Sequence, residues 1–183
     1  MTEIEKMRQQ QPYDFYDPII LDSCTHARNT LKKFNNLTMH DADYRATLED
    51  LIPNCPKDTY ILPPFHCDHG NGIQLGEDVV INYNCTFLDG GKITIGNHVK
   101  IGPNVQLYTP QHPIDAEERR KPLVTNYPIT INDDVWIGGN STVLPGVTIG
   151  ARTIIGAGSV VTKDIPSDCL AAGNPCKVIK KLK

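Results

Sequence analysis

The feature that most constrains this chain is an aliphatic residue recurring at every sixth position. Ile131, Ile137, Val143, Ile149, Ile155 and Val161 hold the spacing without a break. Four positions after each comes a compact residue: Val135, Ser141, Val147, Thr153, Ser159 and Ile165. Upstream, Ile95, Ile101 and Leu107 keep the phase, and Leu75, Ile81 and Phe87 keep the spacing. Between Phe87 and Ile95 the pattern slips by two residues, at Gly90-Gly91. A period of six fits neither a 3.6-residue helix nor the plain alternation of a flat sheet. It fits short strands joined by sharp corners and stacked in layers, each aliphatic pointing inward at the same place. Gly96, Gly102, Gly138, Gly150 and Gly156 follow directly, where the chain folds back and a Cβ would be in the way. Three hexads make one triangular turn. With aromatics at only 7%, the core is one of branched aliphatics rather than rings.

The pattern divides the chain. Residues 1–55 do not repeat and are expected to form a helical segment capping the coil, which runs over 56–183. Asp17-Pro18 reads as a helix N-cap with Pro at the first helical position. Ile20, Cys24, Ala27, Leu31 and Phe34 then share one face. A second short helix is expected over Ala42 to Ile52, stopped by Pro53. Within the coil the hexad signal vanishes over 108–130, a polar stretch expected to protrude as a loop; insertions of this length usually serve function. The tail, 167–183, is expected to be extended.

Several classes are excluded or disfavoured. A net charge of −3 argues against a nucleic-acid-binding body. No apolar run approaches the ~18 residues of a membrane span. The charged start, Met1-Thr2-Glu3-Ile4-Glu5-Lys6, is unlike a signal peptide. The six cysteines are scattered, with no C-x-x-C pair, so a reduced, cytoplasmic protein is expected. His66-Cys67-Asp68-His69 matches no standard zinc spacing, and no metal is expected.

The repeat resembles that of the hexapeptide-repeat acyltransferases, and within them the maltose, galactoside and nodulation-type sugar O-acetyltransferases. The matching stretches are Phe65-His66-Cys67-Asp68-His69-Gly70, Asn82-Tyr83-Asn84-Cys85-Thr86, His112-Pro113-Ile114, Asn132 to Gly139, Pro145 to Gly150, Val161 to Pro166 and Ala172-Gly173-Asn174-Pro175. The resemblance implies a mainly β fold, a left-handed parallel β-helix. It also implies a homotrimer with sites between subunits, acetyl-CoA as donor and a sugar or sugar-like hydroxyl as acceptor.

It assigns residues too. His112, beside the stiffening Pro113, matches the catalytic histidine; histidine is the usual base near neutral pH, and an ordinary loop histidine is the alternative. Asn82 matches an active-site asparagine, and a corner Asn also tolerates left-handed dihedrals. Asp17 resembles an acceptor-binding aspartate, though capping alone accounts for it, and Asp68 matches a position lining the acceptor pocket. Gly90 stands where relatives often carry an acidic residue, so one acceptor contact is missing. Trp136, Gly139, Ala157, Thr162 and Lys163 match positions along the coenzyme A channel, and Trp136 would equally suit packing between subunits. Lys177 and Lys180 match basic positions for its phosphates, where a lysine lacks the arginine fork; plain solvation is the alternative for a tail lysine. These donor residues are expected to line one groove parallel to the coil axis. Other acceptors (an antibiotic, serine or an amino sugar), a γ-type carbonic anhydrase and a non-catalytic scaffold are the rival readings. The carbonic anhydrase would need three converging histidines, and only His98 lies on a hexad of the repeat.

Overall fold

The computed structural model describes residues 1–182. Two-, three- and four-residue strands wind into a parallel coil with three faces. The first face stacks Tyr60–Ile61, Val80–Ile81, Lys100–Ile101, Trp136–Ile137, Ile154–Ile155 and Cys169–Ala172, and ends in the antiparallel strand Lys177–Lys181. The second stacks Phe65–Cys67, Cys85–Leu88, Gln106–Tyr108, Thr142–Val143 and Val160–Val161. The third stacks Ile73–Leu75, Ile93–Ile95, Ile129–Ile131 and Thr148–Ile149, with Ile165 bridging to Ile149.

The hexad residues do what their spacing predicts. Ile131, Ile137, Val143, Ile149, Ile155 and Val161 are fully buried, and the compact residues four positions on are at most 5% exposed. Each buried Ile or Val side chain contributes roughly 1.5–3 kcal/mol by leaving water. The slip at Gly90-Gly91 also has a cause. Below the insertion one turn takes 20 residues, as in Val80 against Lys100; above it, Trp136 pairs with Ile154 after 18. The extra residues of the lower turns are absorbed at corners. Other corners turn on left-handed residues: Asn84, Asn104 and Asn140 before the second face, and Asp78, His98, Asp134, Arg152 and Asp168 before the first.

Three helices close the lower end: α1 (Glu3–Arg8), α2 (Pro18–Phe34) and α3 (Tyr44–Leu51). α2 starts as expected, with Asp17 Oδ1 accepting from the Ile19 amide at 3.0 Å. α3 is two residues shorter at its start and one at its end than the expected Ala42–Ile52. Both helices share the coil's hydrophobic core through Ala27, Leu31, Phe34, Tyr44, Leu48 and Leu51. They also satisfy the open strand edge, which would otherwise be bare. The Asn35 carboxamide bonds both the amide and the carbonyl of Phe65, at 2.8 and 2.9 Å. The Tyr44 hydroxyl does the same for Ile61, accepting from its amide at 2.9 Å and donating to its carbonyl at 2.8 Å.

The insertion differs from the expected loop. Strand Pro110–Gln111 pairs antiparallel with Leu123–Asn126, and Glu118–Arg120 forms a 3-10 turn between them. The third strand of this small sheet is Tyr13–Asp14, from the N-terminal segment. Met7, Tyr13, Ile20 and Val124 form a second core beneath it. The arm is ordered because a remote segment supplies the partner that Leu123 and Val124 need. The tail is extended as expected, and Lys183 lies outside the described residues. No described helix is long and apolar enough to cross a membrane.

Candidate active site

His112 lies immediately after strand Pro110–Gln111, exposed on the arm. Its ring meets that of Phe15 edge-on, with centroids 6.0 Å apart and planes at 86°. It lines a cleft of about 390 Å³ with Ile114, Glu118, Leu123, Thr125 and Tyr127. An exposed imidazole over a cleft of this size can reach a small polar ligand and exchange a proton with it.

Below the arm lies a buried polar cluster. Asp89 is fully buried and its carboxylate accepts from three backbone amides, those of Asp68 (3.0 Å), His69 (2.8 Å) and Gly72 (2.9 Å). Burial first, and then the Asp89 charge, raise the Asp68 carboxyl to about 6, with Arg28 opposing. Asp68 is therefore a carboxyl poised near neutrality. His69 is 3% exposed and pairs with the Ser23 hydroxyl at 2.9 Å; burial lowers its pKa. Among the described residues, no group of three or more His, Cys, Asp or Glu side chains is placed to hold a metal.

Asn82 is not among the residues with left-handed dihedrals; Asn84 takes that role at its corner, φ 58°. That removes the conformational explanation for Asn82, whose side-chain oxygen accepts from the Tyr83 amide at 2.8 Å. The corner it starts is continued upward by Gly102-Pro103-Asn104, Gly138-Gly139-Asn140 and Gly156-Ala157-Gly158. Successive layers are tied by Asn104 to Tyr83, Asn140 to Pro103 and Gly158 to Gly139, each amide to carbonyl at 2.9 Å. Asn82, Gly139 and Ala157 thus stand on one edge, between the first and second faces.

Within one chain the residues expected along the donor groove divide between two edges and a face. Thr162 and Lys163 follow strand Val160–Val161, on the edge between the second and third faces. The arm bearing His112 leaves from that same edge, after Gln106–Tyr108, and Asp68 follows Phe65–Cys67 there. With 18 residues to a turn above the insertion, Gly139 and Ala157 share an edge, and Thr162, five residues past Ala157, falls on the next. Trp136, 54% exposed, lies on the first face, as do Lys177 and Lys180 on its last strand, opposite Ala172 and Leu170. Asp17 is half-buried and engaged as the α2 cap. Nothing in the residue pattern marks Phe15, Tyr127 or Glu118 as neighbours of His112. They come from segments without period, and only the pairing of Tyr13–Asp14 with the arm brings Phe15 there.

Comparison with known proteins decides the family. A family model for the bacterial transferase hexapeptide (six repeats) matches residues 128–163. A second, for the maltose acetyltransferase hexapeptide capping motif, matches residues 6–55. The crystal structure of a maltose O-acetyltransferase from Clostridium difficile 630 superposes with a TM-score of 0.97 at 42% identity, over 100% of this chain and 98% of that one. The chain belongs to the hexapeptide-repeat acetyltransferases of the maltose and galactoside type. The coil of this acetyltransferase is accordingly the left-handed β-helix of that family. A galactoside acetyltransferase solved with coenzyme A matches at TM-score 0.91 and 32% identity, over 100% of this chain and 92% of that one. A Vibrio cholerae hexapeptide-repeat acetyltransferase solved with acetyl coenzyme A matches at 0.89 and 38%, over 100% of both chains.

Proposed function

We propose that this acetyltransferase moves an acetyl group from acetyl-CoA to a hydroxyl of a sugar or sugar-like acceptor, with His112 as general base. The observation that carries the reading is His112 itself, exposed over the arm's cleft and packed edge-on against Phe15. The imidazole takes the hydroxyl proton as the oxygen attacks the thioester carbonyl. The same proton is then available to the departing thiolate, so the base is regenerated. Asp68 binds acceptor hydroxyls from below the arm, and Asp17 contributes beside its capping role.

The two edges support a trimer. His112, Asp68, Thr162 and Lys163 occupy one edge, and Asn82, Gly139 and Ala157 the next, across the second face. A neighbouring copy that set its first-to-second edge against the second-to-third edge of this one would unite them. The donor's narrow arm then runs between chains past Gly139, Ala157 and Trp136, and its phosphates meet Lys163, Lys177 and Lys180.

The test is a panel of sugars and simple alcohols with acetyl-CoA, following free thiol and the mass of the product. Thiol release that depends on a sugar and yields an acetyl ester supports the reading. Release that is the same without acceptor, or acetylation of amines alone, contradicts it. Light scattering at micromolar concentration gives a trimer mass if the divided site is completed by other copies.

A further inference from the structure

The N-terminal fifteen residues do more than cover the end of the coil. α1 begins with a capping box between Thr2 and Glu5 and places Arg8 at its last turn. The Arg8 guanidinium donates to the carbonyls of Asp89 (2.5 Å) and Gly90 (2.9 Å) and to Asn71 Oδ1 (2.5 Å). This bolts the segment to a corner of the coil. Beyond it, Tyr13–Asp14 pairs with Val124 and Leu123 of the arm, and the Phe15 amide donates to Pro122 at 3.1 Å. The Tyr13 hydroxyl accepts from the Asn126 carboxamide at 3.0 Å. Asn126 is fully buried and sits opposite Pro110, two residues before His112.

The arm needs this support. Its own hairpin pairs only Pro110 with Asn126 and Gln111 with Thr125, and a two-stranded hairpin alone is marginally stable in water. A third strand and the small core of Met7, Tyr13, Ile20 and Val124 make it a sheet with a buried side. Phe15 then meets the exposed imidazole directly.

We propose that the segment from α1 to Phe15 is a strap that positions His112. Tyr13 acts through Asn126 to fix the base of the arm, and Phe15 acts through its ring to fix the angle of the imidazole. Both are positioning residues; neither exchanges a proton with substrate. The proposal rests on the reading of His112 as the base. A displacement of about 1 Å in a reacting group can cost ~100-fold in rate, so a loosened strap should be visible in kcat.

The test is steady-state kinetics on the full chain, with the best acceptor of the panel, for Phe15→Ala, Phe15→Tyr and Tyr13→Phe. Each is made alone and together with His112→Ala. Phe15→Ala is expected to lower kcat by ~10- to 100-fold with the Michaelis constant for acetyl-CoA unchanged. Phe15→Tyr, which keeps the ring, is expected to restore most of the loss. In the His112→Ala background, Phe15→Ala is expected to cost nothing further. Unchanged kcat in Phe15→Ala, or the same loss with and without His112, overturns the proposal, because a purely structural role costs equally in both backgrounds. Tyr13→Phe removes one hydrogen bond and keeps the ring; it carries the same comparison if Phe15→Ala does not fold. Should His112→Ala itself keep full turnover, the base reading fails first. A crippled His112→Ala with an additive Phe15→Ala sinks the strap proposal alone.

Discussion

A Cβ on Gly90 would stand 2.7 Å from both polar atoms of the Asn126 carboxamide. Asn126 cannot swing aside freely, because its carboxamide donates to the Tyr13 hydroxyl at 3.0 Å and accepts from Thr109 at 3.3 Å. The space that a side chain at position 90 would need is here filled from the arm. Gly90→Ala is therefore expected to destabilise the chain by about 1–3 kcal/mol, the range for overpacking a full interior. Adding Asn126→Ser should recover much of the loss. Thermal unfolding of the single and double variants checks this; a Gly90→Ala protein that melts with the wild type shows that the wall yields.

Asp68 makes the acetyltransferase sensitive to pH in a direction that burial fixes. Its folded pKa, about 6, lies above the ordinary carboxylate value of 3.8. Holding the proton is favoured by folding, so this group's contribution is fully present below about 3.8 and is lost as pH rises through about 6. Asp68→Asn, which removes the titration, should gain in melting temperature relative to wild type at pH 8 compared with pH 5. The same variant should raise the Michaelis constant for the acceptor if Asp68 binds its hydroxyls. A wild-type-to-variant difference that does not change with pH would place the Asp68 carboxyl in water.

Much of this architecture is legible in the sequence, and the illegible parts have physical reasons. Ile131 to Val161 declare the coil because each hexad buries one aliphatic in the same place. α2 is readable from its cap at Asp17-Pro18 and its face from Ile20 to Phe34. α1 offers only a capping box and one buried residue, Met7, too little for an apolar face to show. The strand Leu123–Asn126 buries Val124 and a polar Asn126, so alternation of hydrophobicity is absent where alternation of burial is present. Its partner Tyr13 lies more than a hundred residues away. The candidate site was legible as residues and not as an arrangement. With three hexads to a turn, spacing also separates the edge of Gly139 and Ala157 from that of Thr162 and Lys163, whereas the place of His112 depends on an arm that has no period.

The donor's phosphates are expected to meet Lys163, Lys177 and Lys180, all exposed. Contacts from exposed charges are screened by salt, with a Debye length near 10 Å at 0.1 M. Replacing the three lysines by Ala should raise the Michaelis constant for acetyl-CoA at low salt with little change in kcat, and the penalty should shrink as salt rises. Normal acetyl-CoA binding by this variant in low-salt calorimetry would move the phosphate site elsewhere.

Gly139 gives a contrasting case. A Cβ there would lie 3.0 Å from the Pro103 carbonyl and 3.2 Å from its ring, so Gly139→Val presses on the layer beneath as well as on the donor's arm. Its effect on acetyl-CoA binding should not depend on salt. A penalty that fades with added salt would mean that the variant disturbs the phosphate contacts instead.

The most direct test of His112 as the base is the turnover of His112→Ala, measured by thiol release from acetyl-CoA in the presence of the best sugar acceptor. A general base contributes typically 10²–10⁴-fold, so kcat should fall by ~10²–10⁴, while the melting temperature and the calorimetric affinity for coenzyme A stay at wild-type values. A folded His112→Ala protein that turns over at near the wild-type rate would remove His112 from the chemistry and contradict the account.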